Sequence, residues 1–376
     1  MAQDLTASQM QIVQMNLDGV FKNKATLNPE LTKTPVTGPA ILERQSADVR
    51  PLFAGSGNAC VGTELWYRVA NNTTVSTVSG APIPSECDLT SGDDMSTLKQ
   101  EYQFNAYDKQ KVEIIDTPEC GNLAKFSENS AFLIANKMSL MAQGYSNFII
   151  SQLDINKSVT SANNLPDAVT ISGGGDYQIT DTSYWTGIEA AKIIPVLDQL
   201  AFVKGLPSNY YIIAGRALSI PRDYARDRAA NDNERSYIQT FNRRDIVNDV
   251  RSLDEIITAE VIYLIDPAAM FGYFWNKYGE VPVSTNDKNN TIEFSIPFTY
   301  YDMYQDGSDN QRPVQFISNG ALTTARLDVS YQKVCTDADA NGHRSYKHVY
   351  EMGYVSQFDF VPSTGDNTGV IRVNKG

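Results

Sequence analysis

The sequence is poor in the residues that do chemistry. Its 376 residues include two histidines, His343 and His348. A Ser-His-Asp or Cys-His site needs one of them in a cleft facing a nucleophile. Both fall in one predicted hairpin, where an exposed and idle role is expected. The cysteines, Cys60, Cys87, Cys120 and Cys335, make no C-x-x-C pair. That excludes zinc-ribbon and thioredoxin-like readings and predicts reduced, structural thiols in a cytosolic product. H-E-x-x-H, G-x-x-x-x-G-K-[ST] and G-x-S-x-G are all missing, which removes the common zinc-protease, P-loop and hydrolase signatures. No apolar run approaches the ~18 residues of a membrane-spanning helix. The longest are short, such as Val261-Ile262-Tyr263-Leu264-Ile265. The beginning, Met1-Ala2-Gln3-Asp4-Leu5-Thr6, lacks the basic start and apolar core of a signal peptide. Positive charge is short too: 31 Lys and Arg face 44 Asp and Glu, a net charge of −13. Binding a phosphate backbone needs a basic face, so a dedicated nucleic-acid binder is not expected.

What is present is ordinary globular material. The length predicts about two domains, and 42% apolar residues suffice for a core without disulfides or metal. Residues 1–50 hold one weak amphipathic stretch, Ser8 to Phe21, followed by polar chain broken at Pro29, Pro35 and Pro39. They read as an arm with too little apolar surface for a core of its own. Residues 51–115 are rich in Gly, Ser and Thr. At 101–115, Tyr102, Phe104, Ala106, Val112 and Ile114 share one parity, which predicts a half-buried strand. The polar span 70–96 suits a two-stranded projection or a mobile loop.

The best helix signal covers 124–155. Leu133, Ile134, Met138, Met141, Tyr145, Phe148, Ile149 and Leu153 recur at helical spacing, and Gly144 inside the run costs about 1 kcal/mol. A second helix is expected at 186–203, kinked by Pro195 and stopped at Gly205-Leu206-Pro207. Buried strands follow at Tyr210–Ala214 and Glu260–Asp266, with helix and loop between 222 and 250. The last third alternates as β-structure through Ile292, Phe294 and Ile296, then Leu327, Val329 and Tyr331, then Tyr346 to Phe360.

Several near-motifs have plainer explanations. Gly55-Ser56-Gly57 with Cys60 falls one glycine short of a dinucleotide fingerprint and precedes β-like sequence. Asp337, Asp339 and Asn341, with Gly342, match the front half of a calcium loop, but the twelfth position is His348 instead of Glu. A tight turn explains these residues equally well. Asp93-Asp94 and Asp254-Glu255 are neighbouring carboxylates of the kind that 44 acidic residues produce by chance. Arg222, Arg226, Arg228 and Arg235 are balanced by Asp223, Asp227, Asp232 and Glu234, a mixed face suited to solvent or a protein rim. Phe271-Gly272-Tyr273-Phe274-Trp275 with Tyr278 reads as core or subunit interface. No catalytic residue and no cofactor is expected.

The order of parts carries a resemblance. A proline-broken arm, a polar β projection, a long helix, an α/β middle and a β-rich finish together resemble a tailed-phage major capsid protein of the Hong Kong 97-type fold, an α+β architecture. Leu197-Asp198-Gln199-Leu200 through Ile213, and Glu260-Val261-Ile262-Tyr263-Leu264-Ile265-Asp266-Pro267, read like the middle of such proteins. The resemblance implies an N-terminal arm at 1–50, an extended β loop at 51–115 and a peripheral domain at 116–184 with its spine helix at 124–155. It further implies an axial domain at 185–285 and a β-rich return at 286–376. It implies a non-enzymatic building block that forms pentamers and hexamers and encloses double-stranded DNA without reading its sequence. Such a protein is made in the bacterial cytoplasm, resides in the virion and does not engage a membrane. Separate scaffolding, portal and decoration proteins are its implied partners. Some members of the family join subunits by a Lys–Asn isopeptide bond promoted by a Glu; no residues here match that motif. Rival readings are a tail or baseplate component, an encapsulin-like compartment shell and a carboxylate-based hydrolase.

Overall fold

The computed structural model describes residues 13, 14, 16, 17, 20, 37–45, 49–53, 60–70, 95–115, 123–186, 189–229, 239, 241, 243–248, 257, 260–286, 291–300, 314–315, 317–318, 323–335, 346–362 and 367–376. The chain forms two compact units, Asp48–Phe104 alone and Met1–Ala47 together with Asn105–Gly376. The architecture is α+β.

The small unit is a ribbon of three antiparallel strands, β1 (Val49–Phe53), β2 (Cys60–Ala70) and β3 (Met95–Gln103), in that order. Leu65 lies opposite Val49, and both are buried. Glu64 lies opposite Glu101, a pairing of like charges that is unfavourable by itself. Lys99 relieves it by contacting both carboxylates at 2.8 Å. At Gly62 an added Cβ would overlap the Tyr102 carbonyl oxygen of the neighbouring strand, so only glycine permits that ladder.

The large unit begins with a short helix, α1 (Gly38–Glu43), and strand β4 (Ala106–Ile115). Helix α2 (Leu123–Ile155) follows, 33 residues or about 50 Å long. Next come β5 (Thr170–Ile171), β6 (Tyr177–Ile179), α3 (Ser183–Thr186), α4 (Ile193–Val203), β7 (Tyr211–Ala214), α5 (Ser219–Ala229), β8 (Ile246–Asn248) and β9 (Val261–Ile265). The last third supplies β10 (Met270–Trp275), β11 (Val283–Asn286), β12 (Thr291–Pro297), β17 (Arg326–Cys335), β18 (Tyr346–Phe360) and β19 (Val370–Lys375). Between β12 and β17 lie two small ladders, β13 (Thr299–Tyr300) with β14 (Val314–Gln315), and β15 (Ile317–Ser318) with β16 (Thr323–Thr324).

Two six-stranded sheets organise this unit. The antiparallel one runs β10-β18-β17-β12-β11, with β4 on the other edge of β18. The mixed one runs β5-β6-β19-β9-β7-β8. Each face of the mixed sheet meets a different core. Val261, Tyr263 and Ile265 of β9 join the core around α2, whereas Ile262 and Leu264 join the core around α4. A strand buried on both faces has no polar parity, which is why Val261–Ile265 reads as an unbroken apolar run. β18 shows the opposite pattern. Tyr350, Met352, Tyr354 and Phe358 are buried against the α2 core, with more polar positions between them.

Helix α2 matches the expected span within one residue. Ile134, Met138, Met141, Tyr145, Ile149 and Leu153 are buried as the stripe predicts, each contributing about 1.5–3 kcal/mol of burial. Leu133 departs from the stripe and is exposed. The expected kink at Pro195 does not appear, because α4 starts at Ile193. Pro195 therefore occupies the first turn, where an N–H has no intrahelical acceptor. Gly205, at φ +75, ends α4 as expected, with Leu206 N donating to Ala201 O at 2.9 Å.

Three expectations change. The strand expected over 101–115 is two strands, broken at Phe104-Asn105. The Asn105 amide replaces the ladder there, donating to Phe358 O at 2.8 Å and accepting from Phe358 N at 3.0 Å. The loop expected over 51–115 corresponds to a unit of Asp48–Phe104, because β4 pairs with β18 along ten residues. The segment 222–250 contains β8, parallel to β7, which its charged composition hides.

At its described residues the arm segment joins the core of the large unit. Val13 and Leu17 are buried in the α2 core, and so are Ile41 and Leu42 of α1. Gly38 is a necessity of close approach: an added Cβ would lie 3.0 Å from Ser146 Cα and 3.0 Å from Ile149 Cδ1 of α2. The Ser146 hydroxyl accepts from Thr37 N at 3.0 Å and Gly38 N at 2.9 Å. These N–H groups at a helix start would otherwise lack a partner in a buried place.

Candidate functional site

Many of the sequence candidates fall outside the described residues. Asp337, Asp339 and Asn341, and also His343, Asp93, Asp94, Asp254 and Glu255, lie outside the described residues. His348 is the correction. It is not an exposed turn residue but lies within β18, 3% exposed, beneath the sheet. Its Nδ1 shares a 2.7 Å hydrogen bond with the Tyr331 hydroxyl, and the two rings stack at 5.9 Å. The cross-strand register explains this placement. Lys333 is the partner of His348 and Tyr350 the partner of Tyr331, so His348 shares the inward parity of Tyr350. Of the aromatic cluster, Phe271 and Phe274 are buried and pack as core, with Phe274 edge-on to Tyr145 at 5.0 Å. Among the described residues no group of three or more His, Cys, Asp or Glu could hold a metal ion.

Charged side chains instead form structural nodes. At the end of α2, Arg372 of β19 pairs with Asp154 and lies 3.6 Å from Asp176. Lys157 meets Asp176 at 2.7 Å, and the Tyr263 hydroxyl donates to Asp154 at 2.9 Å. Burial, then the neighbouring Asp154 charge, push the Tyr263 phenol up, so it stays a neutral donor. This node fixes the helix end to the mixed sheet. A second pin holds α1. Arg44 grips Asp245 through two nitrogens, one of them at 2.7 Å, and its guanidinium lies 5.7 Å from the centre of the Tyr211 ring. A shallow pocket of about 430 Å³ is lined by Val159, Tyr177, Lys204, Asn367 and Ile371 among others. Lys204 there donates to Ser161 O at 2.8 Å and Asn163 O at 3.0 Å, so its charge closes a loop.

The outer face of the antiparallel sheet is the most organised exposed surface. Ala106 and Val112 of β4 point inward, so Tyr107, Lys109, Lys111 and Glu113 point out. Register lines them up in rows. Lys111 faces Glu351, then Ser330, Glu293 and Val283 across five strands. Lys109 faces Gly353, Asp328 and Ser295, and Ser295 N donates to Gly279 O. Lys109 reaches Glu351 at 2.7 Å, and Glu113 accepts from Lys111 and Lys347. Hydrogen bonds from Lys111 and Lys347, in that order, hold the Glu113 carboxyl down at about 2. Tyr107, 83% exposed, lies opposite Val355, itself paired with Trp275. Sequence reasoning missed this face because β4 meets its partner β18 only through a pairing of distant segments.

No family model and no curated protein matches the chain. Solved structures that it resembles include the mature capsid of bacteriophage PhiM1, with 8% identity over 83% of this chain and 82% of that one and a TM-score of 0.36. The capsid of cyanophage P-SCSP1u is similar at 11% identity over 89% and 87%, TM-score 0.36. The capsid of Myoviridae phage XM1 is similar at 10% identity over 89% and 88%, TM-score 0.32. With TM-scores this far below 0.5, the function has to be argued from the chain's own geometry.

Proposed function

We propose that this protein is a major capsid protein that assembles into the icosahedral shell around the double-stranded DNA genome of a tailed phage. The observation that carries the reading is the separate Asp48–Phe104 ribbon. It is a three-stranded antiparallel ribbon whose strands reach eleven residues. A three-stranded sheet needs an apolar face or a packing partner to be stable, and a second surface laid against it supplies one. Copies of the same chain offer that surface to one another. The Leu123–Ile155 helix suits the spine of a peripheral domain, and the mixed sheet with α4 and α5 suits an axial domain.

Assembly follows from additivity. Head-to-tail contacts close into rings of five and six and then into a shell, and modest contacts become strong when each subunit is held in several places at once. The net charge of −13 suits a container whose wall does not adhere to the packaged DNA. Scaffolding and portal proteins are the implied partners, and the role is structural instead of enzymatic. The test is negative-stain imaging of the full chain expressed alone and with a scaffolding protein. Uniform hollow particles are expected; shells filled with enzyme would favour a bacterial compartment, and a monomer under both conditions would reject assembly.

A further inference from the structure

The chain enters and leaves the Asp48–Phe104 ribbon through two segments of the large unit, and the two are held in different ways. The exit is tied firmly. The Asn105 side chain donates to Phe358 O at 2.8 Å and accepts from Phe358 N at 3.0 Å, and the Asn105 backbone N–H donates to Ser356 O at 3.2 Å. β4 follows at once and pairs with β18 along ten residues.

The entry ends at Arg44 and Gln45, just ahead of Asp48, and its holds are weaker. Arg44 N donates to Ile41 O at 3.2 Å and Gln45 N to Leu42 O at 3.4 Å, both long for an N–H···O bond. The Gln45 side chain is 5% exposed and lies beside Gly272 of β10, yet neither its Oε1 nor its Nε2 has a hydrogen-bond partner among the described residues. A buried amide of this kind costs free energy that exposure to water returns. Arg44 opposes release by gripping Asp245, but the two side chains are 26% and 50% exposed, and exposed pairs contribute little and are screened by salt. One turn back, Ile41 and Leu42 are buried, so release stops there.

We propose that Arg44–Gln45 is a releasable latch on the chain entering the ribbon. These two residues lift from the body while α1 and Asn105 stay in place; the Gln45 amide favours release and the Arg44–Asp245 pair opposes it. Lifting them adds two residues, about 7 Å of reach, to the entering segment, while the exit keeps its length. The ribbon therefore has one fixed root and one adjustable root. The latch belongs to the single chain and operates whether or not copies assemble.

The test is amide hydrogen exchange in the full, dissociated chain, read by NMR at Arg44 and Gln45 with Ile41 and Asn105 as references. Gln45→Met keeps the length of the side chain and removes its polar atoms, and is expected to slow exchange at Arg44 and Gln45 about tenfold or more. Arg44→Met is expected to speed it about threefold. Raising salt from about 0.05 to about 0.5 M is expected to do the same in the unaltered chain, an arm that needs no variant to fold. Ile41 and Asn105 are expected to hold their rates throughout. Exchange in Gln45→Met as fast as in the unaltered chain would show the amide to be satisfied where it lies and would overturn the latch. Indifference to both Arg44→Met and salt would overturn it too. Asn105 changing in step with Gln45 would overturn the division into a fixed and an adjustable root.

Discussion

The arm segment and the ribbon are both polar, proline- or glycine-marked stretches that sequence reasoning groups together as limbs, yet they are built differently. Residues 37–45 are fixed to their own body. Ile41 and Leu42 are buried, Gly38 lies against α2, Ser146 accepts two backbone N–H groups, and Arg44 holds Asp245. The ribbon is a unit of its own, in which Lys99 holds Glu64 and Glu101 at its surface. Order in the arm segment therefore needs no sister molecule, and the case for assembly shifts to the ribbon.

The comparison sharpens first at Ile149, which packs on Gly38. Ile149→Ala is expected to cost about 2–5 kcal/mol, seen as a lower urea midpoint with an unchanged slope. A cost below about 1 kcal/mol would mean that the arm segment is not held as described. Ser146→Ala strips the acceptor from two N–H groups and is expected to cost about 1–3 kcal/mol, with faster hydrogen exchange at Thr37 and Gly38. In the ribbon, Lys99→Ala removes two surface contacts and is expected to leave the melting temperature almost unchanged; a large drop would make the ribbon as tightly held as the arm segment.

The smallest effect is one of pH. Glu113 falls from its ordinary 4.5 to about 2 in the folded protein, through hydrogen bonds from Lys111 and Lys347. Its folded form binds fewer protons than the unfolded chain, so its contribution is full above pH 4.5 and fades as the pH falls through about 2. Glu113→Gln should flatten that part of the stability–pH curve. An unchanged acid limb would show the lysines to be idle.

The sequence was most legible where burial was simplest. The stripe from Ile134 to Leu153 and the unbroken run Val261–Ile265 predicted their elements because one helix face, or both strand faces, are buried. Legibility failed where distant partners decide. Asn105 breaks a strand by bonding to Phe358, and His348 is inward because of the β17–β18 register. The short β8 is a strand because β7 lies beside it. Gly272, inside the aromatic cluster, is small because Leu42 of α1 packs directly on it. The outer sheet rows were invisible for the same reason.

The most direct test of the central claim compares hydrogen exchange in assembled and dissociated protein at two places, the β3 amides Met95–Gln103 and the α1 amides. Assembly on the ribbon predicts at least tenfold slower exchange across β3 in the assembled form, with α1 unchanged. Equal exchange of β3 in both forms, or protection gained only at α1, would contradict it.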